Sequence, residues 1–367
     1  MLKIERISAR TVSVPLARPV VSSIHDINRI GCVLITVETN QNVTGEGLLF
    51  TLNDELIFLM RDAVARMGEG LVGLDADDPE AAWNRMWRRN QFFGWSGFLM
   101  FAVSGIDMAL WDARARHQKV SIRDLVGGTG TTVPAYASDC LFLNRSEDEL
   151  VEEARRLRAD GFGAVKIRVG SGSVESDARR VALVRDAIGD DIRLMADANQ
   201  ALDLAQSIAL GKRLSDHGLT WFEEPMPPYD FDAYAKLRAA VDVPIATGES
   251  NYTMLDFEAL ADRGAADVLM PDYSRVGGLT QMLNVARLAE ARGLAFSPHL
   301  YPEHSLSAVA STTSGTFIEM MPWFAPLFRE QLALDKGTAA VPDRHGFGFS
   351  FDPAAVARYA IDPPQAA

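Results

Sequence analysis

Residues 146–170 read SEDELVEEARRLRADGFGAVKIRVG, and this stretch carries both halves of a repeating unit. Ser146 with Glu149 three positions on fits a capping box, the residues that follow form an amphipathic helical pattern, and Gly161 offers a stop. After it comes AVKIRV, a short run of the kind that forms a β-strand. Strand alternation sends Lys166 and Arg168 out of the same face. Two cations directed to one place call for a negatively charged partner.

The same rhythm continues on either side. From Val133 onward, eight β-rich runs alternate with longer helical patterns: VPAYAS, AVKIRV, RLMAD, LTWFEE, VPIATG, DVLMP, LAFSP and TFIEM. Alternating strands and helices require a parallel sheet, and eight units in about 200 residues suit a closed (β/α) barrel. An open doubly wound sheet fits less well, because no GxGxxG follows an early strand. The first 130 residues read differently. VLITVETNQNVTGEGLL is a hairpin with polar turn residues, and DELIFLMRDAVARM begins a mostly helical region. The expected organisation is an α/β chain: an N-terminal α+β domain over 1–130, a modified TIM (β/α) barrel over 131–335, and a return over 336–367. The return, with its Gly-rich DRHGFGFSFD, is expected to leave the barrel and pack on the first domain.

Composition limits the partners. Acids outnumber bases by 49 to 36, for a net charge of −13, which argues against nucleic acid or an anionic membrane as the main partner. The longest uncharged stretch, Asn90 to Ile106, is 17 residues broken by glycines and serines, and reads as buried protein. Cys32 and Cys140 stand far apart with no CxxC pair, and MLKIERISAR lacks the apolar core of a signal peptide, so a reducing, cytoplasmic setting is expected.

The chemistry sits where the runs end. Asp197, Glu223 or Glu224, and Glu249 close three consecutive runs, and the steps from Asp197 to Glu223 and from Glu223 to Glu249 are both 26 residues. Barrel strand ends converge on one mouth. Three carboxylates meeting there repel unless a cation lies between them, and an all-oxygen set favours Mg²⁺ or Mn²⁺. The sixth and seventh runs end in Asp272 and His299, an acid and imidazole able to work as a base near neutral pH. Glu319 closes the eighth run and, if protonated, would face an oxygen that develops negative charge. His25, His117, His217, His304 and His345 lack such neighbours and read as structural on position alone.

In combination these residues resemble the enolase superfamily and, within it, the mandelate racemase subgroup, over nearly the whole chain. The resemblance implies that Asp197, Glu223 and Glu249 bind Mg²⁺, with Glu223 preferred because the family uses the first acid of the pair. It implies that Asn199 lines the site, that Asp272 and His299 form the acid–base dyad, and that Glu319 lies beside the substrate carboxylate. It also implies a cap domain whose loop, here LARPVVSSIHDINRIG with His25 and Arg29, reaches the substrate, and a homo-oligomer.

One departure shapes the functional expectation. The family's second-strand motif is Lys-x-Lys, and this chain has Lys166-Ile167-Arg168. Arginine stays protonated in proteins, so Arg168 is poorly fitted to be the second base that a racemase needs. The expectation is an acid-sugar dehydratase in which His299 removes the proton alpha to a carboxylate, giving an enediolate that expels the β-hydroxyl and yields a 2-keto-3-deoxy acid. The alternatives are a racemase or epimerase of a 2-hydroxy acid and a non-catalytic barrel that binds a sugar acid. Muconate-lactonising chemistry is disfavoured, because relatives that perform it place a Lys where this chain has Asp272.

Overall fold

The computed structural model describes residues 1–363. Its N-terminal part is an antiparallel sheet in the order β1 (Ile4–Val21), β2 (Asp26–Thr39), β3 (Thr44–Leu52), backed by α1 (Ile57–Glu69), α2 (Pro79–Arg89), α3 (Phe98–Gln118) and the short α4 (Ile122–Leu125). The hairpin expected in VLITVETNQNVTGEGLL is the β2–β3 pair, with Val33 opposite Leu49. The long helix α3 lies directly on β3. Gly45 and Gly47 permit that approach, since a Cβ on Gly47 would stand 2.3 Å from the carbonyl oxygen of Gly105.

Residues 16–31 are not, over most of their length, the cap-domain loop that the resemblance implied. They are the twisted end of the β1–β2 ribbon, with Pro15 paired to Arg29, Val20 to Ile27, and an irregularity between. Only 22–25 remain as the turn. Pro15 and Pro19 are tolerated because β1 is an edge strand.

The barrel strands are β4 (Thr132–Ala137), β5 (Ala164–Arg168), β6 (Arg193–Asp197), β7 (Leu219–Glu223), β8 (Ile245–Thr247), β9 (Val268–Leu269), β10 (Ala295–Phe296) and β11 (Ile318–Met320). Each falls within one of the eight β-rich runs or overlaps it. The crossover helices are α5 (Glu147–Ala159), α6 (Val174–Ile188), α7 (Leu204–Leu214), α8 (Phe231–Ala240), α9 (Met254–Asp262), α10 (Tyr273–Val276), α11 (Gly278–Arg292) and α12 (Pro302–Val309). The capping box read at Ser146 and Glu149 starts α5, with both reciprocal hydrogen bonds made. β11 pairs with β4, and β10 meets the approach to β11 through Phe296, whose N–H donates to Ser314 O at 2.8 Å and whose carbonyl accepts from Thr316 N at 3.0 Å.

Inside the barrel, Tyr136, Met195, Trp221, Met270 and Phe317 form a buried layer. Tyr136 and Trp221 meet edge to face at 5.4 Å, and Trp221 and Phe317 at 5.9 Å. This layer is the floor on which the site stands.

The return departs from its expected course. It first forms a hairpin, β12 (Leu334–Asp335) and β13 (Thr338–Ala340), and β13 adds antiparallel to the start of β4, with Ala339 opposite Val133. Only later does it reach the N-terminal part: Ile361 N donates to Thr11 O at 3.0 Å, and α13 (Pro353–Tyr359) packs near β1. Strands of two and three residues flanking the turn at Lys336 and Gly337 are too short to show as a periodic pattern. Among the described residues, no helix is long and apolar enough to cross a membrane.

Candidate active site

Parallel register sets Arg168 beside Asp197 and Asp197 beside Glu223. Side chains two apart share a face, so the inward series runs Ala164, Lys166, Arg168 on β5 and Trp221, Glu223 on β7. The lower residues make the floor, and the upper ones line the mouth. At the end of β8 the chain turns at Gly248, whose φ of +136° and close contacts leave no room for a side chain, and this turn delivers Glu249. Oxygens of Asp197, Glu223 and Glu249 all lie within 4.8 Å of one another. Glu224 points elsewhere: with φ +30°, it accepts from Gln200 Nε2 at 2.7 Å and Ser250 Oγ at 3.1 Å. Strand alternation therefore selects Glu223 for the mouth.

The two cations of the opening motif meet this cluster. Lys166 Nζ is 2.8 Å from Glu223 Oε1, 2.8 Å from Glu319 Oε1 and 3.3 Å from Asp197 Oδ2. Burial opposes its charge, but Glu223 and Glu319 outweigh that penalty and hold it protonated. Arg168 Nε is 3.5 Å from Asp197 Oδ2, and its Nη2 donates to Ser138 Oγ at 3.2 Å. Its buried Nη1 has no hydrogen-bond partner among the described residues. For Arg168 too, burial works against the charge and the carboxylates, Asp197 foremost, prevail. Arg168 is a fixed cation.

Across the mouth, His299 Nδ1 lies 2.8 Å from Asp272 Oδ2. The other oxygen of Asp272 accepts from the backbone N–H groups of Ser274 and Arg275, at 2.8 and 3.2 Å. Asp272 thus accepts from Nδ1–H, which leaves Nε2 facing the cavity, 3.4 Å from Glu249 Oε2. Burial lowers the imidazole pKa, but Glu249, the hydrogen bond to Asp272 and the charge of Glu319 push it up to about 9. If a cation takes up the charge of Glu249, that contribution goes and the imidazole falls back toward its ordinary range.

Glu319 corrects one expectation. It accepts from Ser138 Oγ at 2.6 Å, Leu300 N at 2.8 Å and Lys166 Nζ at 2.8 Å, and so stands as a carboxylate and not as a protonated acid. Burial alone would raise its pKa; Lys166, His299 and Arg168 pull it below its usual range. Asn199 reaches the cavity with φ +42°, its Nδ2 3.2 Å from Asp197 Oδ2 and its buried Oδ1 without a partner among the described residues. His25 lines the cavity. Arg29 does not: it is exposed on the ribbon, 3.6 Å from Asp54.

Two contributors escaped the sequence reading. Ser138 lies two residues beyond Tyr136 on the inward face and bridges Arg168 and Glu319. Arg275, three after Asp272, lies 3.6 Å from its Oδ2 and donates to Glu249 O at 3.1 Å. Alternation along VPAYAS and helical spacing from Asp272 were the signals for each.

Lys166 and Arg168 face four carboxylates, Asp197, Glu223, Glu249 and Glu319, while the charge of Asp272 is matched by Arg275. A divalent cation would balance this excess. The donors are hard oxygens on three separate elements, already drawn together, as a small oxygen-seeking dication requires. The residues present fit such an ion.

Residues 6–127 match the family described as Mandelate racemase / muconate lactonizing enzyme, N-terminal domain, and residues 149–355 match Enolase C-terminal domain-like. The chain belongs to the enolase superfamily, mandelate racemase subgroup. Within it, the chain is 31% identical over 356 residues to the L-talarate/galactarate dehydratase of Salmonella typhimurium, spanning 95% of this chain and 89% of the relative. It is 32% identical to the D-galactarolactone cycloisomerase of Agrobacterium fabrum, across 99% of this chain and 100% of that one. The crystal structure of the Salmonella dehydratase with Mg and L-lyxarohydroxamate superposes with a TM-score of 0.93 at 30% identity, covering 98% and 93% of the two chains. For this member of the superfamily, the cap domain and barrel enclose a cavity of about 320 Å³ above the mouth.

Proposed function

We propose that this protein is a Mg²⁺-dependent acid-sugar dehydratase, converting a 2,3-dihydroxy acid into a 2-keto-3-deoxy acid. The observation that carries the reading is the pairing of one oriented base, His299 on Asp272, with a fixed cation, Arg168, where a second base would have to stand. The names of the relatives support it, since a dehydratase of acid sugars and a protein crystallised with Mg are among them.

Asp197, Glu223 and Glu249 would hold Mg²⁺, whose charge makes a carboxylate easier to enolise. Lys166 and the free Nη1 edge of Arg168 offer the substrate carboxylate cationic hydrogen-bond donors that need not move as charge develops. His299 Nε2 takes the α-proton. The electrons of the C–H bond pass into the carboxylate as an enediolate, whose collapse restores the carboxylate, forms the Cα=Cβ bond and breaks the β C–O bond. The departing hydroxide leaves as water after gaining a proton, for which the imidazolium of His299 is a source. The resulting enol tautomerises to the keto acid.

Racemisation is the weaker reading, because a group held as a cation by Asp197 cannot take a proton from the opposite face. The test is a screen of mono- and diacid sugars with the Mg²⁺-loaded protein, read as 2-keto acid formed. Turnover lost in His299→Asn, with that variant still folded, is the expected result. Folded wild-type protein that forms keto acid from no member of the panel overturns the reading. Solvent deuterium entering a recovered 2-hydroxy acid of both configurations would favour a racemase.

A further inference from the structure

The cavity has two unlike ends. Every Lys and Arg that lines it, Lys166, Arg168 and Arg275, comes from the barrel, and each is already matched to an acid there. The roof comes from the cap: Ile27 on the ribbon, Phe50 and Leu52 at the end of β3, Met60 on α1, and Phe98 and Phe101 on the first turn of α3. The polar roof residues, Ser22, His25, Thr51, Asn53 and Glu55, include no Lys or Arg, and Glu55 is an exposed acid with no cation within ion-pair distance among the described residues.

This asymmetry bears on the substrate. A carboxylate at the barrel end meets cations, whereas a second carboxylate at the roof would be moved from water against aromatic and aliphatic side chains, with Glu55 as its charged neighbour. Burying an unpaired ion is strongly unfavourable, and like charges in a cleft repel. A methyl group or a closed ring at that end would instead cover apolar surface.

We infer that the substrate is a monocarboxylate whose far end is uncharged and apolar, a terminally deoxygenated or ring-closed sugar acid, and that Phe98 and Phe101 with Ile27 and Met60 exclude the corresponding diacid. This rests on the proposed reading of the mouth as the carboxylate site, and it adds what the opposite end selects.

The test compares stereochemically matched pairs, each a 6-deoxyhexonate and the hexarate of the same configuration, with the Mg²⁺-loaded protein. Two readouts are taken: kcat/KM for keto-acid formation, and Kd by calorimetry with His299→Asn, which holds ligand without consuming it. The monoacid of the preferred configuration is expected to lead by about 100-fold, at least the discrimination that an apolar pocket shows against an added polar group. Phe98→Arg, at a half-buried position, places a cation on the roof and is expected to shift the ratio toward the diacid by at least about tenfold. Equal or tighter binding of the diacid by the parent roof overturns the inference, as does an unchanged ratio in Phe98→Arg. If no pair is turned over, the dehydratase reading fails, and the Kd comparison still decides the selection at the roof.

Discussion

His299 owes its position and its titration to different neighbours. Asp272 fixes the ring through Nδ1, while Glu249, 3.4 Å from Nε2, is the largest single upward pull on its pKa. Replacing Asp272 with Asn keeps the size but lets the amide present a donor to Nδ1, so the imidazole is no longer held in the form that leaves Nε2 as acceptor. We expect kcat to fall by about 100-fold or more with KM changed little, the pattern of a group used in the transition state. Because a base must be neutral to act and the variant's imidazole has lost a carboxylate that raised its pKa, the acid limb of kcat/KM moves to lower pH. An unshifted limb with unchanged kcat would mean that His299 is not the base. These residues were legible in the sequence because barrel geometry converts chain position into direction: every second residue faces inward, and every strand end faces the mouth. Ionisation states were not, since they depend on partners from distant strands. The role read for Glu319 required it to be protonated, and only the folded arrangement shows Ser138, Leu300 and Lys166 all donating to it. Arg29 read as a ligand contact because nothing in the ribbon's polar string marks its pairing with Asp54.

The roof is held over the mouth by several cap–barrel contacts, and the one between α3 and α11 is the most polar of those between helices. Asp107 on α3 reaches the first turn of α11, where Oδ2 accepts from Thr280 N at 2.9 Å and Oδ1 accepts from Thr280 Oγ1 at 2.6 Å. Trp111 Nε1 donates to the same Thr280 hydroxyl at 2.8 Å. Gly278 makes space for the carboxylate: a Cβ there would lie 2.5 Å from Asp107 Oδ2. Asp107→Ala strands the Thr280 amide in a buried interface and is expected to cost about 1–3 kcal/mol in urea denaturation, with faster hydrogen exchange at Thr280. Asp107→Asn keeps an acceptor and is expected to cost less. Burial pushes the Asp107 carboxyl from 3.8 up to about 8, so the folded protein holds this proton more tightly than the unfolded chain does. Its contribution to stability therefore declines as pH rises through that interval in the wild type, and not in Asp107→Asn. Equal slopes for the two proteins would place the carboxylate outside the interface. The uncharged stretch 90–106 read as buried throughout, whereas only its second half, from Met100 on α3, is buried and Phe92 and Phe93 are exposed. Nor did patterning show that α3 meets the helix that follows the glycines at 277–278. The same limit hid the return hairpin, whose two strands are too short to carry a period, and the apolar roof, whose Phe50, Phe98 and Phe101 read as ordinary core until cap and barrel are docked.

For the molecule as a whole, the convergence of Asp197, Glu223 and Glu249 is a cost of folding that a dication removes. Burial pushes Glu223 well above its usual range even beside Lys166, with repulsion from Asp197 and Glu249 added. Mg²⁺ that binds only the folded chain stabilises it by about 2.7 kcal/mol at a hundred times its Kd, which for a chain of this length raises Tm by about 3–4 °C. His299 ties this gain to pH. In the metal-free protein its pKa is raised from 6.5 to about 9, so the stability it contributes is complete below pH 6.5 and lost as pH climbs through 9. Metal bound at Glu249 lowers that pKa, so binding releases a proton within the same interval and tightens as pH rises. Both effects have one sign: at fixed Mg²⁺, the Tm difference between loaded and metal-free protein grows from pH 6.5 to pH 9. Differential scanning fluorimetry across that range, with and without chelator, measures it. Glu249→Gln, which removes both a metal ligand and the chief cause of the raised imidazole, is expected to flatten the profile and abolish most of the shift. A wild-type difference that shrinks with rising pH, or one that survives intact in Glu249→Gln, would show that the stabilising ion binds elsewhere than among these three acids.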